Sequence, residues 1–130
     1  MPYKALLINK SFDLKESNLL YSINKFMQQL AFEMKLMKGY EVEYQRRHSA
    51  IWPELVELLK VNGISEYHIY LNEQSLSLFG VLKIHDPIKL EELPHHPVMK
   101  KWWAYMKDIM ETNPDNSPVS IPLINVFHLS

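Results

Sequence analysis

Hydrophobic and polar positions follow two different periods along the chain, and the points where the period changes divide it into elements. Residues 30 to 37, LAFEMKLM, put Phe32, Met34 and Leu36 on one face and Glu33 and Lys35 on the other, the two-residue repeat of a strand with one covered side. After Lys38-Gly39-Tyr40 the period lengthens. EVEYQRRH contains no Gly or Pro, and IWPELVELLK spaces Ile51, Leu55, Leu58 and Leu59 as a helix does. This predicts one helix or two, with Pro53 in the first turn of the second. Asn62-Gly63 ends it. ISEYHIYL, 64 to 71, is rich in β-branched and aromatic residues, and LSLFGVLKI, 76 to 84, is an apolar run of strand length. The polar tetrapeptide Asn72 to Ser75 between them predicts a hairpin. IKLEEL is weakly helical and is cut by Pro94 and Pro97. VMKKWWAYMKDIM, 98 to 110, then sets Met99, Trp102, Met106 and Ile109 on one helical stripe. The run from Asn113 to Pro118 is turn chemistry throughout. IPLINVFHL, 121 to 129, predicts a last strand whose Pro122 confines its start to an edge or a bulge.

From residue 30 onward the order is βαββαβ, the ferredoxin-like arrangement of the α+β class, with helices on one face of an antiparallel sheet. The third strand is apolar at Leu76, Leu78, Phe79, Val81 and Leu82, on both of its faces, and the helices of one chain cover only one of them. A second copy of the chain is the expected cover. Ahead of this unit stand a possible short strand at Ala5 to Ile8 and a helix-compatible stretch, ESNLLYSINKFMQQ.

Composition narrows the function. At 130 residues the chain suits one domain. Lys plus Arg number 14 against 15 for Asp plus Glu, and no block of five like charges occurs, so nucleic acid and anionic membranes are poor partners. The absence of cysteine removes disulfides, thiolate nucleophiles and Cys-based metal sites. The apolar run near the N-terminus, Ala5 to Ile8, is too short for an export signal, which points to the cytoplasm. Three glycines leave no room for a phosphate-cradling loop, so nucleotide cofactors are not expected.

Four groups of residues can carry chemistry. Tyr44 and His48 stand four apart on a helix, so their side chains share a face, and a histidine titrates near neutrality. The same spacing also fits a solvent-facing imidazole with a tyrosine packed on it. Arg46 and Arg47 between them suit either an anion or a solvated edge. Trp102 and Trp103 point about 100° apart, so both cannot face one core. A Trp beside a cleft offers an apolar plane and one N–H donor, the pairing a sugar ring uses; one core indole and one at a dimer interface is the competing reading. Tyr67 shares a strand face with Ile69 and Leu71, which sets its hydroxyl at the margin of an apolar surface. His95 and His96, with His68, His85 and His128, lack metal-ligand spacing, and no metal is expected.

EYQRRHSAIWPEL (43 to 55), YHIYL (67 to 71) and KWWAYMKDIMETNPDNSPVS (101 to 120) together resemble the L-rhamnose mutarotase family, over a stretch from about Met27 to Ser130. The resemblance implies a cofactor-free, cytoplasmic, homodimeric enzyme of the dimeric α+β barrel type that interconverts the α and β anomers of L-rhamnose. Its proton donor falls on His48 and its sugar contacts on Tyr44, Tyr67, Trp102 and Trp103. Two departures accompany it. Residues 1 to 26 form an N-terminal extension ahead of the domain at 27 to 130, with Met27 where the family's initiator stands, and LEELPHHPVMK (90 to 100) differs from the family pattern. A non-catalytic sugar- or small-ligand-binding protein on the same dimeric scaffold is the alternative, and a small dimeric monooxygenase with a haem- or quinone-sized pocket is a third reading.

Overall fold

In the computed structural model, which describes residues 27–130, the two-residue periods become strands and the longer periods helices. The order is β1 (Gln28–Lys35), α1 (Glu41–Ser49), α2 (Pro53–Val61), β2 (Ile64–Leu71), β3 (Ser77–Ile84), α3 (Lys89–Glu92), a 3-10 turn (Leu93–His95), α4 (Pro97–Met106) and β4 (Ile121–Leu123). The strand and helix expected before residue 27 lie outside the described residues.

The sheet runs β2-β3-β1-β4 with every neighbouring pair antiparallel, the ferredoxin-like topology that the element order predicts. Helices cover one face. Met34, Leu78, Leu82 and Ile84 point into a core closed by Leu55 and Leu58 of α2 and by Met99, Trp102 and Met106 of α4. Each fully buried Leu or Ile there contributes about 1.5 to 3 kcal/mol against leaving it in water. The opposite face carries Phe79 and Val81, half-buried, so strand three is apolar on both sides as its sequence indicates.

Local chemistry sets the turns. Pro53 occupies the first turn of α2, so the helical stretch is two helices, broken before Trp52 takes an extended conformation. Gly63 has φ +81°, a left-handed conformation that ends the turn after α2 at little cost only for glycine. Asn72 Oδ1 accepts from the backbone N–H groups of Gln74 and Ser75 at 3.0 and 3.2 Å, an Asx turn that folds the β2–β3 hairpin.

Three boundaries differ from the sequence pattern. β1 begins two residues earlier than residue 30 and ends at Lys35, with Leu36 continuing as an isolated bridge to Met110. The α4 stripe runs on to Ile109 as predicted, but the helix stops at Met106; the next turn carries Ile109 and Met110 into the core, and Met110 bridges Leu36. The last strand is only Ile121–Leu123 and not 121 to 129. Continuing its register beyond Leu123↔Ala31 would lay it along Leu30, Gln29 and Gln28, and that polar, exposed beginning of β1 offers the segment little apolar surface to cover. No helix among the described residues is long and apolar enough to cross a membrane.

Candidate active site

Between the covered face of the sheet and the helices lies a cavity of about 1020 Å³, open on one side, and all five predicted site residues line it. Its volume is at the upper end of the range of small-ligand sites, about 300 to 1,000 Å³. Most of the wall is apolar, with Phe32, Met34, Leu55, Ile69 and Met106 contributing.

Tyr44 and His48 sit one turn apart on α1, as their spacing requires, with ring centroids 4.3 Å apart and planes inclined by 27°. The Trp102 indole meets the imidazole edge-on, at 5.4 Å and 89°. His48 Nδ1 lies 3.1 Å from the Tyr44 carbonyl oxygen. A carbonyl only accepts, so Nδ1–H is the donor and Nε2 is left as the nitrogen that exchanges protons. Burial lowers the His48 pKa below its ordinary value, and the bond to the Tyr44 carbonyl offsets this in part. The solvent-facing reading of this pair therefore does not hold: Tyr44 is buried and His48 half-buried.

Tyr67 comes from the opposite wall. Ile64, Tyr67, Ile69 and Leu71 all face inward, although 64 and 67 differ by an odd number, because a bulge between Ser65 and His68 inserts one residue and turns the strand. Glu66 in that bulge has φ +48°. Phe32 holds the ring edge-on at 6.1 Å, and Gly80 makes that possible, since a Cβ there would clash with the far end of the Phe32 ring. Tyr67 leaves 38% of its surface exposed, yet its hydroxyl end is enclosed, and burial pushes its pKa up. Burial does the same to Tyr44, with a smaller contribution from the nearby Tyr67. Both phenols stay protonated at neutral pH and act as hydrogen-bond donors and acceptors, not as bases.

The two indoles divide. Trp102 is buried in the core and lines the cavity, whereas Trp103 is half-buried and borders the same cavity. Trp52 was not singled out by spacing. It stands edge-on to Trp102 at 5.0 Å and stacks on Tyr105 at 5.6 Å, so it supports the indole that supports His48. Its signal in the sequence is the Trp-Pro pair, which forces an extended residue at the head of α2.

Neither arginine is poised for an anionic ligand. Arg46 pairs with Glu43, its Nε and Nη2 donating at 2.8 and 2.6 Å. Arg47 is 9% exposed; its Nε donates to Glu43 at 2.6 Å, its Nη1 to the Tyr105 carbonyl and Asp108 at 2.8 Å, and its guanidinium lies 4.5 Å from the Tyr105 ring centroid. The two arginines hold the Glu43 carboxyl at about 2, far below its ordinary range. Arg47 thereby fastens α1 to the end of α4. His96 Nδ1 accepts from the Val98 N–H at 3.3 Å and caps α4, and among the described residues no group of His, Asp and Glu is arranged to hold a metal ion.

A half-buried histidine with one nitrogen anchored, set among aromatic planes and neutral phenols in a ferredoxin-like α+β domain, is an arrangement suited to proton transfer in a small enzyme. A family profile described as L-rhamnose mutarotase matches residues 29–129. The L-rhamnose mutarotase of Rhizobium meliloti is 57% identical over 103 residues, 79% of this chain and 99% of that protein. That of Brucella anthropi is 60% identical over 99 residues, 76% of this chain and 93% of its own. The crystal structure of an L-rhamnose mutarotase from Formosa agariphila superposes with a TM-score of 0.74 at 48% identity, covering 79% of this chain and 99% of that one. The chain belongs to the L-rhamnose mutarotase family, an isomerase class, which favours an enzyme over the non-catalytic and monooxygenase readings.

Proposed function

We propose that this chain interconverts the α and β anomers of L-rhamnose by acid–base ring opening at the cavity of Tyr44, His48, Tyr67, Trp102 and Trp103. The observation that carries the reading is the His48 imidazole, fixed by its Nδ1 bond and facing an aromatic, largely apolar chamber. The imidazolium form of His48, its Nδ1–H held by the Tyr44 carbonyl, gives its Nε2 proton to the ring oxygen and becomes neutral while a water, aligned by the Tyr44 hydroxyl, takes the proton of the anomeric hydroxyl. The bond from C1 to the ring oxygen breaks as the C1 carbonyl forms. Rotation about C1–C2 presents the other carbonyl face, and the same two transfers reverse on closure. Atoms, charges and protons balance without a redox partner. A proton donor of this kind accelerates such a step by about 10²- to 10⁴-fold. Trp102, Trp103 and Tyr67 offer planes to the C–H faces and methyl group of a deoxy sugar. The working unit is a cytoplasmic homodimer of the domain at 27 to 130, joined through the sheet face that bears Phe79 and Val81.

The test is His48→Asn, which keeps a hydrogen-bonding side chain of similar shape and removes the titrating proton. Saturation-transfer NMR between rhamnose anomers at pH 7 should show exchange reduced by about two orders of magnitude, with sugar binding retained. Exchange at the wild-type rate, after correction for spontaneous mutarotation in protein-free buffer, would remove His48 from the mechanism.

A further inference from the structure

The groups assigned so far leave little to read the ring hydroxyls of a sugar: His48 serves the reacting end, the indoles offer planes, and only two phenols remain. Helix α1 brings one more polar group to the same cavity. Gln45 lines it from an exposed position, where the cavity opens to water. With successive residues about 100° apart on a helix, His48 stands between Tyr44, about 40° to one side, and Gln45, about 60° to the other. The Gln45 side chain makes no hydrogen bond among the described residues, whereas its charged neighbours are committed. Glu43 holds both arginines, Arg47 also holds Asp108, and Glu41, one turn earlier, accepts from the Gly39 N–H at 3.3 Å. Among the described residues of the wall Gln45 is the only side-chain amide. Carboxylates there only accept and Lys60 only donates, but a carboxamide does both in one plane.

We propose that Gln45 is a further substrate-binding residue, whose amide holds two neighbouring ring hydroxyls of the sugar, those on C3 and C4. The contact rests on the rhamnose reading above for the identity of the sugar. Two adjacent hydroxyls match a carboxamide, because its oxygen accepts from one while its N–H donates to the other. Spacing selects the pair. Cβ atoms three residues apart on a helix lie about 5 to 6 Å from each other, about the width of a pyranose ring. With His48 Nε2 at the ring oxygen, the amide falls at the opposite edge, where C3 stands with C4 beside it. Neither carbon takes part in the bond changes, and neither moves when C1 turns about C1–C2. The amide therefore holds the closed ring and the open aldehyde alike, which makes it a source of affinity and not of rate. Placed at the open side of the cavity, it fixes the far edge of the ring while the reacting edge lies deeper, beside His48 and Trp102.

Gln45→Met tests it, since Met keeps the length and helix preference of an exposed side chain and removes both bonds. Its Tm should stay within about 3 °C of wild type. KM for L-rhamnose should rise about tenfold while kcat stays within about twofold. A second substrate locates the contact on the ring. The wild-type chain should process the 3-deoxy analogue of L-rhamnose with kcat/KM about tenfold below that for L-rhamnose, and Gln45→Met should bring the two within about twofold of each other. An unchanged KM in Gln45→Met, or the wild-type preference retained in it, would overturn the contact. Binding without turnover separates it from the proposed reaction. 1,5-Anhydro-L-rhamnitol keeps the methyl group and the hydroxyls on C2, C3 and C4 but has no anomeric hydroxyl, so it does not mutarotate. Titration calorimetry should give a Kd about tenfold weaker for Gln45→Met than for the wild-type chain. That difference in a wild-type chain that fails to exchange anomers would remove the reaction and leave the contact standing. Equal Kd values, or no binding to the wild-type chain, would overturn the contact even if the chain proved a mutarotase.

Discussion

Removing the guanidinium of Arg47 should loosen the whole site without touching a ligand. The side chain is 9% exposed and donates to Glu43, to Asp108 and to the Tyr105 carbonyl near the end of α4. Arg47→Met keeps the aliphatic stem and deletes every one of these bonds. A hydrogen bond to a charged group contributes about 1.5 to 3 kcal/mol, and breaking a fully buried ion pair costs about 3 to 5 kcal/mol. Here Asp108 is 61% exposed and water can replace its partner, so its share falls to the few tenths typical of surface pairs. What remains is the lost part-buried bond to the Tyr105 carbonyl and the lost bond to Glu43. The sum is about 2 to 3 kcal/mol, or about 7 to 14 °C in Tm for a domain of this size. Urea denaturation followed by circular dichroism, with Asp108→Asn and the double variant completing a cycle, measures it. Asp108→Asn alone should cost less than about 1 kcal/mol. Arg47→Lys should fall between, because one ammonium cannot reach Glu43, Asp108 and the carbonyl together. A value for Arg47→Met within about 0.5 kcal/mol of wild type would refute the assignment of Arg47 as the tie between the two helices.

Three further outcomes are expected. Gly80→Ala should displace the Phe32 ring from its seat and with it the edge-on support of Tyr67, costing about 1 to 3 kcal/mol and raising KM for the sugar more than a stability change alone explains; unchanged near-ultraviolet dichroism and KM would count against it. His48 has a lowered folded pKa, so between that value and the ordinary 6.5 the unfolded chain binds a proton that the native one does not; stability should rise with pH across this window, His48→Asn should flatten the rise, and the His48-dependent break in the rate profile should lie below pH 6.5. A chain beginning at Met27 should fold and keep its mutarotase activity, because every residue of the site lies later; loss of both on truncation would assign the first 26 residues to the core.

Periodicity alone determined the elements and their order, because each strand or helix with one covered side must repeat its apolar residues every two or every three to four positions. The α4 stripe of Met99, Trp102, Met106 and Ile109 is buried throughout, and Tyr44 and His48 converge because four residues make about one turn. Arg47 shows the limit of that reading: beside Arg46 it looks like a solvated edge, and only contact with Asp108, 61 positions away, makes it a buried clamp. Trp52 and the Phe32–Gly80 contact are likewise long-range, and a one-dimensional pattern carries no distance between residues that lie far apart in the chain. The inward turn of Tyr67 depends on one bulge residue, which alternation within the strand does not reveal. The end of β4 was decided in the same way. IPLINVFHL is a strand by composition over nine residues, but a strand is a pairing, and the surface that β1 offers ends after three.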